Sequence, residues 1–111
     1  MELLPANLKR QLLMNNLHRD DDHIPVVKFF LPGTGATWII TDMDPDEDLL
    51  FGLCDLGLGE PELGYVNLSE LRRVRTRLGL AVERDLHWHT DRPLSAWTSA
   101  ARAARRILTP E

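Results

Sequence analysis

Much of what small proteins use for chemistry is missing from this sequence. A single cysteine, Cys54, among 111 residues rules out an internal disulfide. Its place in an apolar run marks it as a small core residue rather than a nucleophile, which suits a reducing compartment and makes the cytoplasm the expected location. No apolar run approaches the ~18 residues of a membrane span. Met1 to Arg10 has no basic segment followed by an apolar stretch, so a secretory leader is not expected either. There is no internal repeat, linker or low-complexity segment, and 111 residues suffice for one domain, residues 1–111, with a core of its own.

Phosphate-binding signatures are absent too. Pro32-Gly33-Thr34-Gly35 is followed by no Gly-Lys-Ser/Thr and leads into a strand-like run, so it reads as a hairpin turn. Gly57-Leu58-Gly59 lacks the rest of a dinucleotide fingerprint and does not open a helix. Asp42, Asp44, Asp46 and Asp48 alternate like the start of a calcium loop. An EF-hand, however, needs glycine and glutamate where this chain has Glu47 and Leu53, and Pro45 intrudes.

What is present is charge, unevenly placed. The net charge is -4; residues 1–67 carry 12 acidic and 4 basic side chains, a balance of -8, and residues 68–111 carry 5 acidic and 9 basic, a balance of +4. Such a chain has one acidic and one basic portion, able to meet oppositely charged partners or to stack head to tail.

The local patterns give an ordered set of elements. Pro5 starts a helix to about Asn16 with Leu4, Leu8 and Leu12 on one side. Asp20, Asp21, Asp22 and His23 form a polar turn, and Val26 to Leu31 and Ala36 to Thr41 make a hairpin. Asp42 to Asp48 reads as a charged loop, Leu50 to Leu56 as a central strand apolar on both faces, and Leu63 to Val66 as a short further strand. Asn67 caps a helix, with Glu70 in the capping box and Leu68, Leu71, Val74 and Leu78 on its apolar side, that Gly79 ends. Val82 to His89 alternates as a strand, and Pro93 leads into a last helix striped by Leu94, Trp97, Ala101, Ala104 and Leu108. Runs of strands rather than strict strand-helix alternation predict an α+β fold: a mostly antiparallel or mixed sheet of about four to five strands covered by about three helices.

Three constellations carry chemistry. On a strand, Glu83, Asp85, His87 and His89 share one face, where Asp85, His87 and His89 suit a Zn or Mn ion of a small hydrolase; the opposite face of Val82, Arg84, Leu86 and Trp88 makes this equally the polar side of a half-buried strand. Arg72, Arg73, Arg77, Arg102, Arg105 and Arg106 form a candidate nucleic-acid patch, opposed by the negative overall field, so direct nucleic-acid binding is not expected. The acids Asp20, Asp21, Asp22, Asp42, Asp44, Asp46, Glu47 and Asp48 suit a basic protein partner.

The richest stretch is Phe51 to Leu71, where Gly52, Gly57, Gly59, Gly64 and Pro61 punctuate apolar residues as if placed for backbone geometry. That stretch, with Arg84-Asp85-Leu86-His87, Pro93-Leu94-Ser95, the opening Leu3-Leu4-Pro5, Pro25-Val26-Val27-Lys28 and Thr37-Trp38, resembles a small bacterial family catalogued as domain of unknown function 2958. The likeness runs over nearly the whole chain. Members are carried largely on plasmids, integrative elements and phages, beside antirestriction and conjugation genes. No catalytic residues transfer, and His89 falls outside the family's motif. The resemblance and the acids together set the expectation: a non-enzymatic accessory protein of a mobile element that binds another protein, as an inhibitor of a host restriction or CRISPR complex would. No cofactor and no membrane association are expected, and self-association stays open.

Overall fold

The computed structural model describes residues 2–111. Among these, five strands form one antiparallel sheet and three helices cover it: α1 (Ala6–Asn16), β1 (Val27–Phe30), β2 (Ala36–Met43), β3 (Leu49–Leu56), β4 (Glu62–Asn67), α2 (Leu68–Arg73), β5 (Glu83–Arg84) and α3 (Leu94–Ala104). The strand order is β4-β3-β2-β1-β5, which places the chain in the α+β class.

Two apolar clusters sandwich the sheet. Leu12 of α1 and Leu68 and Leu71 of α2 pack with Val27, Phe29, Trp38, Ile40, Met43 and Leu50 on one face. Leu94, Trp97 and Ala101 of α3 pack with Ile39 and Leu53 on the other. The alternation along β2, Trp38 and Ile40 to one side and Ile39 to the other, explains why β2 and β3 are apolar on both faces. Gly33, with φ 78°, turns the β1–β2 hairpin, and the Leu31 N–H donates to the Ala36 carbonyl at 3.1 Å.

Four elements differ from the sequence expectation. Helix α2 stops at Arg73 instead of running to Gly79. Val74 is extended, and residues 75–81 fold back on themselves: Arg75 bridges Ala81, and Thr76 N–H donates to Leu80 O at 2.9 Å. Gly79 serves that turn with φ 81°, and Leu78 lies 88% exposed rather than on an apolar helix face. The β-branched Val74 and Thr76 weaken the helix there.

The strand expected over Val82 to His89 is only Glu83–Arg84. Beyond it Asp85 turns the chain, and Trp88 folds under the sheet to pack against Trp97, with ring centroids 5.6 Å apart and planes inclined by 57°. Helix α3 ends at Ala104, which is exposed, because Arg105 adopts the left-handed conformation at φ 61°. Asp55, itself buried, holds this exit: its Oδ2 accepts the Ile107 N–H at 3.1 Å and its Oδ1 the Gly57 N–H at 2.8 Å.

The last difference lies in β2. Asp42 and Met43 belong to the strand rather than to the charged loop, and the ladder slips between them and Ile40. Ile40 faces Gly52 and Asp42 faces Phe51, so Thr41 is the extra residue of a β-bulge. Asn15 of α1 donates its side-chain amide to the bulged Thr41 carbonyl at 2.8 Å.

Candidate functional site

The bulge shifts the alternation of β2 by one residue. Before it, even-numbered Trp38 and Ile40 face α1 and α2; after it, Met43 takes that side and Asp42 turns to the face of Phe51. A carboxylate is thereby set into the sheet surface, 4% exposed, beside an aromatic ring. Its Oδ1 accepts the Thr41 hydroxyl at 2.8 Å. Burial raises the Asp42 pKa above the ordinary carboxylate value and Asp44 adds to the rise, while the Thr41 bond, His23 and Arg19 work against it.

Around Asp42 lies a cleft of about 380 Å³ lined by Asn16, Arg19, Asp20, Asp44, Phe51 and Tyr65. Phe51 and Tyr65 are cross-strand partners whose rings sit 5.0 Å apart at 55°, and Tyr65 is 61% exposed. Asn16 Oδ1 is buried there without a hydrogen-bond partner. A second groove continues from Phe51 past Leu63 to Arg102 on α3, with Asp21 and Asp22 on its margin. Three acids, Asp20, Asp42 and Asp44, and one cation, Arg19, thus surround an aromatic floor.

The eight acids expected to meet a partner fall into two groups. Asp20, Asp42 and Asp44 are brought together in the cleft, and Asp21 stands at its continuation. The other four are engaged in holding the fold. Asp22 caps α3, accepting the Ser95 N–H at 3.0 Å and the Ser95 hydroxyl at 2.5 Å. Asp46 Oδ1 accepts the N–H groups of Asp48 and Leu49, at 2.9 and 3.0 Å. Glu47, at φ 60°, pairs with Lys9 at 3.0 Å. Asp48 caps α2: its Oδ1 accepts the Ser69 N–H at 2.8 Å and its Oδ2 the Asn67 amide at 2.9 Å, and these bonds pull its pKa below the usual range. The Asn67 N–H donates to Glu70, the expected half of the capping box, at 3.3 Å.

The other two constellations are dispersed. Asp85 forms an ion pair with Lys28 at 3.8 Å, and His87 and His89 lie exposed beyond the two-residue strand, off any shared strand face. Among the described residues no group of three or more His, Cys, Asp or Glu is disposed to hold a metal ion. The six arginines divide between helices packed on opposite faces of the sheet. Arg72 and Arg73 belong to α2 and Arg77 follows it, whereas Arg102 is on α3 and Arg105 and Arg106 at its exit. Burial pushes the Cys54 thiol up to about 11, which leaves it protonated at neutral pH.

Sequence reasoning found the acids but not the floor beneath them. Phe51 and Tyr65 are read there only as part of a glycine-punctuated stretch. The signal was the polar pair Thr41-Asp42 continuing the apolar Trp38 to Ile40 run, matched by Asn15-Asn16 at the end of α1.

No helix among the described residues is long and apolar enough to cross a membrane. The family model described as protein of unknown function (DUF2958) matches residues 3–108, nearly the whole chain. No curated protein and no solved structure matches.

Proposed function

Since the chain belongs to this family, protein of unknown function (DUF2958), whose description assigns no activity, we propose from the cleft itself that the protein works by binding, not catalysis, and that its partner is a basic protein surface. The observation that carries this reading is the grouping of Asp20, Asp42 and Asp44 around the Phe51–Tyr65 pair. A Lys or Arg side chain entering there lies over an aromatic face and against carboxylates, an arrangement that favours a cation on both counts. Asp42 gains most. Its ionised form is disfavoured by burial, and an incoming cation offsets that desolvation.

The partner class rests on this chemistry together with the mobile-element setting that the family resemblance implies. Proteins that handle nucleic acid present basic surfaces of this kind, and an accessory protein of a mobile element that covered one would act as an inhibitor of host defence, in the manner of an antirestriction or anti-CRISPR protein. The acids compete with phosphate for the same cations, and the folded body blocks access to the channel.

The test is affinity capture from a bacterial host with and without nuclease digestion, followed by charge reversal. Asp44→Arg and Asp20→Arg abolish capture of a basic partner that survives digestion, while Asp91→Arg, an exposed acid outside the cleft, leaves it intact. Equal capture by all three variants overturns the reading. Added salt weakens the interaction, as expected of charge pairs at an open surface.

A further inference from the structure

The outer side of β4 (Glu62–Asn67) is unpaired. Among the described residues its only strand neighbour is β3, and no backbone group of Leu63, Gly64, Tyr65 or Val66 bonds to anything outside β3. The opposite edge of the sheet is closed by the two-residue β5, a length that offers little template for pairing. Strand β4 has six residues and, apart from the charge of Glu62 at its start, lacks the proline, lysine or bulge that keeps an edge from pairing. Two large side chains, Leu63 at 42% and Tyr65 at 61% exposure, project from it on the α3 face.

On its α3 face the edge is also electrically polarised along its length, Glu62 projecting to the other face. At the Tyr65 end stand Asp20, Asp42 and Asp44. Toward the Leu63 end lies Arg102, and further on Arg105 Nε donates to the Gly59 carbonyl at 3.3 Å, in the turn that precedes the strand and that also carries the exposed Glu60. An antiparallel two-fold arrangement sets the acidic end of one edge against the basic end of an identical one, and a parallel arrangement does not.

We infer that a second copy of this chain pairs antiparallel along β4 about a two-fold axis at Gly64, joining two five-stranded sheets into one. In this register Leu63 lies opposite Tyr65 of the second copy, twice, giving two apolar cross-strand pairs on the α3 face. Gly64 faces Gly64 and Glu62 faces Val66 on the other. The interface is isologous and closes, so assembly stops at two. It shares the acids of the Tyr65 end with the proposed partner site, so a basic partner shifts the balance toward monomer.

Sedimentation equilibrium of the purified full chain tests this. The expected result is a reversible monomer–dimer equilibrium between 12.7 kDa and twice that mass. Leu63→Lys weakens association roughly tenfold or more, because each substitution acts twice across the axis. Arg102→Glu also weakens it, and adding Asp44→Arg to Arg102→Glu restores it by exchanging the charges. Circular dichroism confirms that each variant is folded. A chain that stays monomeric up to about 100 μM, the range where weak pairing shows, overturns the inference. So does a dimer that is indifferent to both Leu63→Lys and Arg102→Glu, or growth beyond two copies.

Discussion

Gly52 and Gly64 sit directly opposite each other on β3 and β4, and alanine at the two positions is expected to have opposite effects. A Cβ on Gly52 would lie 2.0 Å from the Ile39 carbonyl oxygen and 2.8 Å from the Ile40 Cα. Both are backbone atoms of the neighbouring strand, so no rotamer change relieves the clash. An ordinary contact needs more than 3 Å, so β2 and β3 must part by about 1 Å where the bulge already strains their ladder. A Cβ on Gly64 meets nothing within 4 Å. Neither glycine has a positive φ, so each replacement starts from the usual stabilisation of about 0.4–1 kcal/mol that comes from a stiffer unfolded chain.

At Gly64 that stabilisation stands alone. At Gly52 it is outweighed by overpacking at or above the upper end of the usual ~1–3 kcal/mol. A net loss of about 2–3 kcal/mol is a large part of the ~5–15 kcal/mol that holds a domain of this size. It lowers Tm by roughly 10–20 °C. Thermal melts followed by far-ultraviolet circular dichroism, with urea titrations at low protein concentration, measure both. A Gly52→Ala protein that melts within about 3 °C of the parent, under the ~4 °C that even 1 kcal/mol produces, refutes the close-approach argument. An equal loss at Gly64 refutes it as well.

Two carboxylates should respond to pH in opposite directions. Asp42 has a folded pKa above its ordinary 3.8, chiefly through burial, so the folded chain holds its proton more tightly and the ionised form weakens the fold at neutral pH; that penalty disappears as pH falls through the folded value. Asp42→Asn, which keeps the acceptor for Thr41, therefore raises Tm at pH 7, and the gap from the parent narrows on acidification. Asp48 has a folded pKa below 3.8, held down first by the Ser69 N–H and then by the Asn67 amide. Its contribution is complete above 3.8 and is lost as pH falls through the lowered value. Asp48→Asn lowers Tm at pH 7, and its gap closes only in strong acid. Melting curves from pH 7 down to about pH 2, spanning the carboxylate range, separate the two, and parallel curves for the variants would be the wrong outcome.

Much of the fold is legible in the sequence where one period dominates. The Leu8 and Leu12 spacing marks α1, the β-rich runs on either side of Pro32-Gly33 mark the hairpin, and Leu50 to Leu56 reads as a strand buried on two faces because helices do cover both. What the sequence hides depends on partners far along the chain. Glu83 to His89 alternates well, yet the strand ends after Arg84 because Trp88 is drawn to Trp97. The acids illustrate the same limit. Asp22, Asp46, Asp48 and Asp44 look alike in a list of charges; only Ser95, 73 residues from Asp22, and Ser69, 21 residues from Asp48, reveal which carboxylates are engaged.

The glycine-punctuated stretch and the cleft are mechanically one device. The bulge needs β2 to press its backbone toward β3 between Ile39 and Asp42, and Gly52 is the position on β3 that lets it. Without the extra residue, the alternation of β2 would carry Asp42 to the α1 side, into an apolar cluster of Trp38, Met43 and Leu50 where an unpaired carboxylate is unfavourable. With it, Asp42 stands beside Phe51, the residue before Gly52, in reach of Thr41 and the cleft. A glycine that touches no ligand thus decides which face of the sheet carries the carboxylate. Loss of partner capture in a Gly52→Ala chain that still folds at low temperature would follow from this coupling, whereas loss in Gly64→Ala would not.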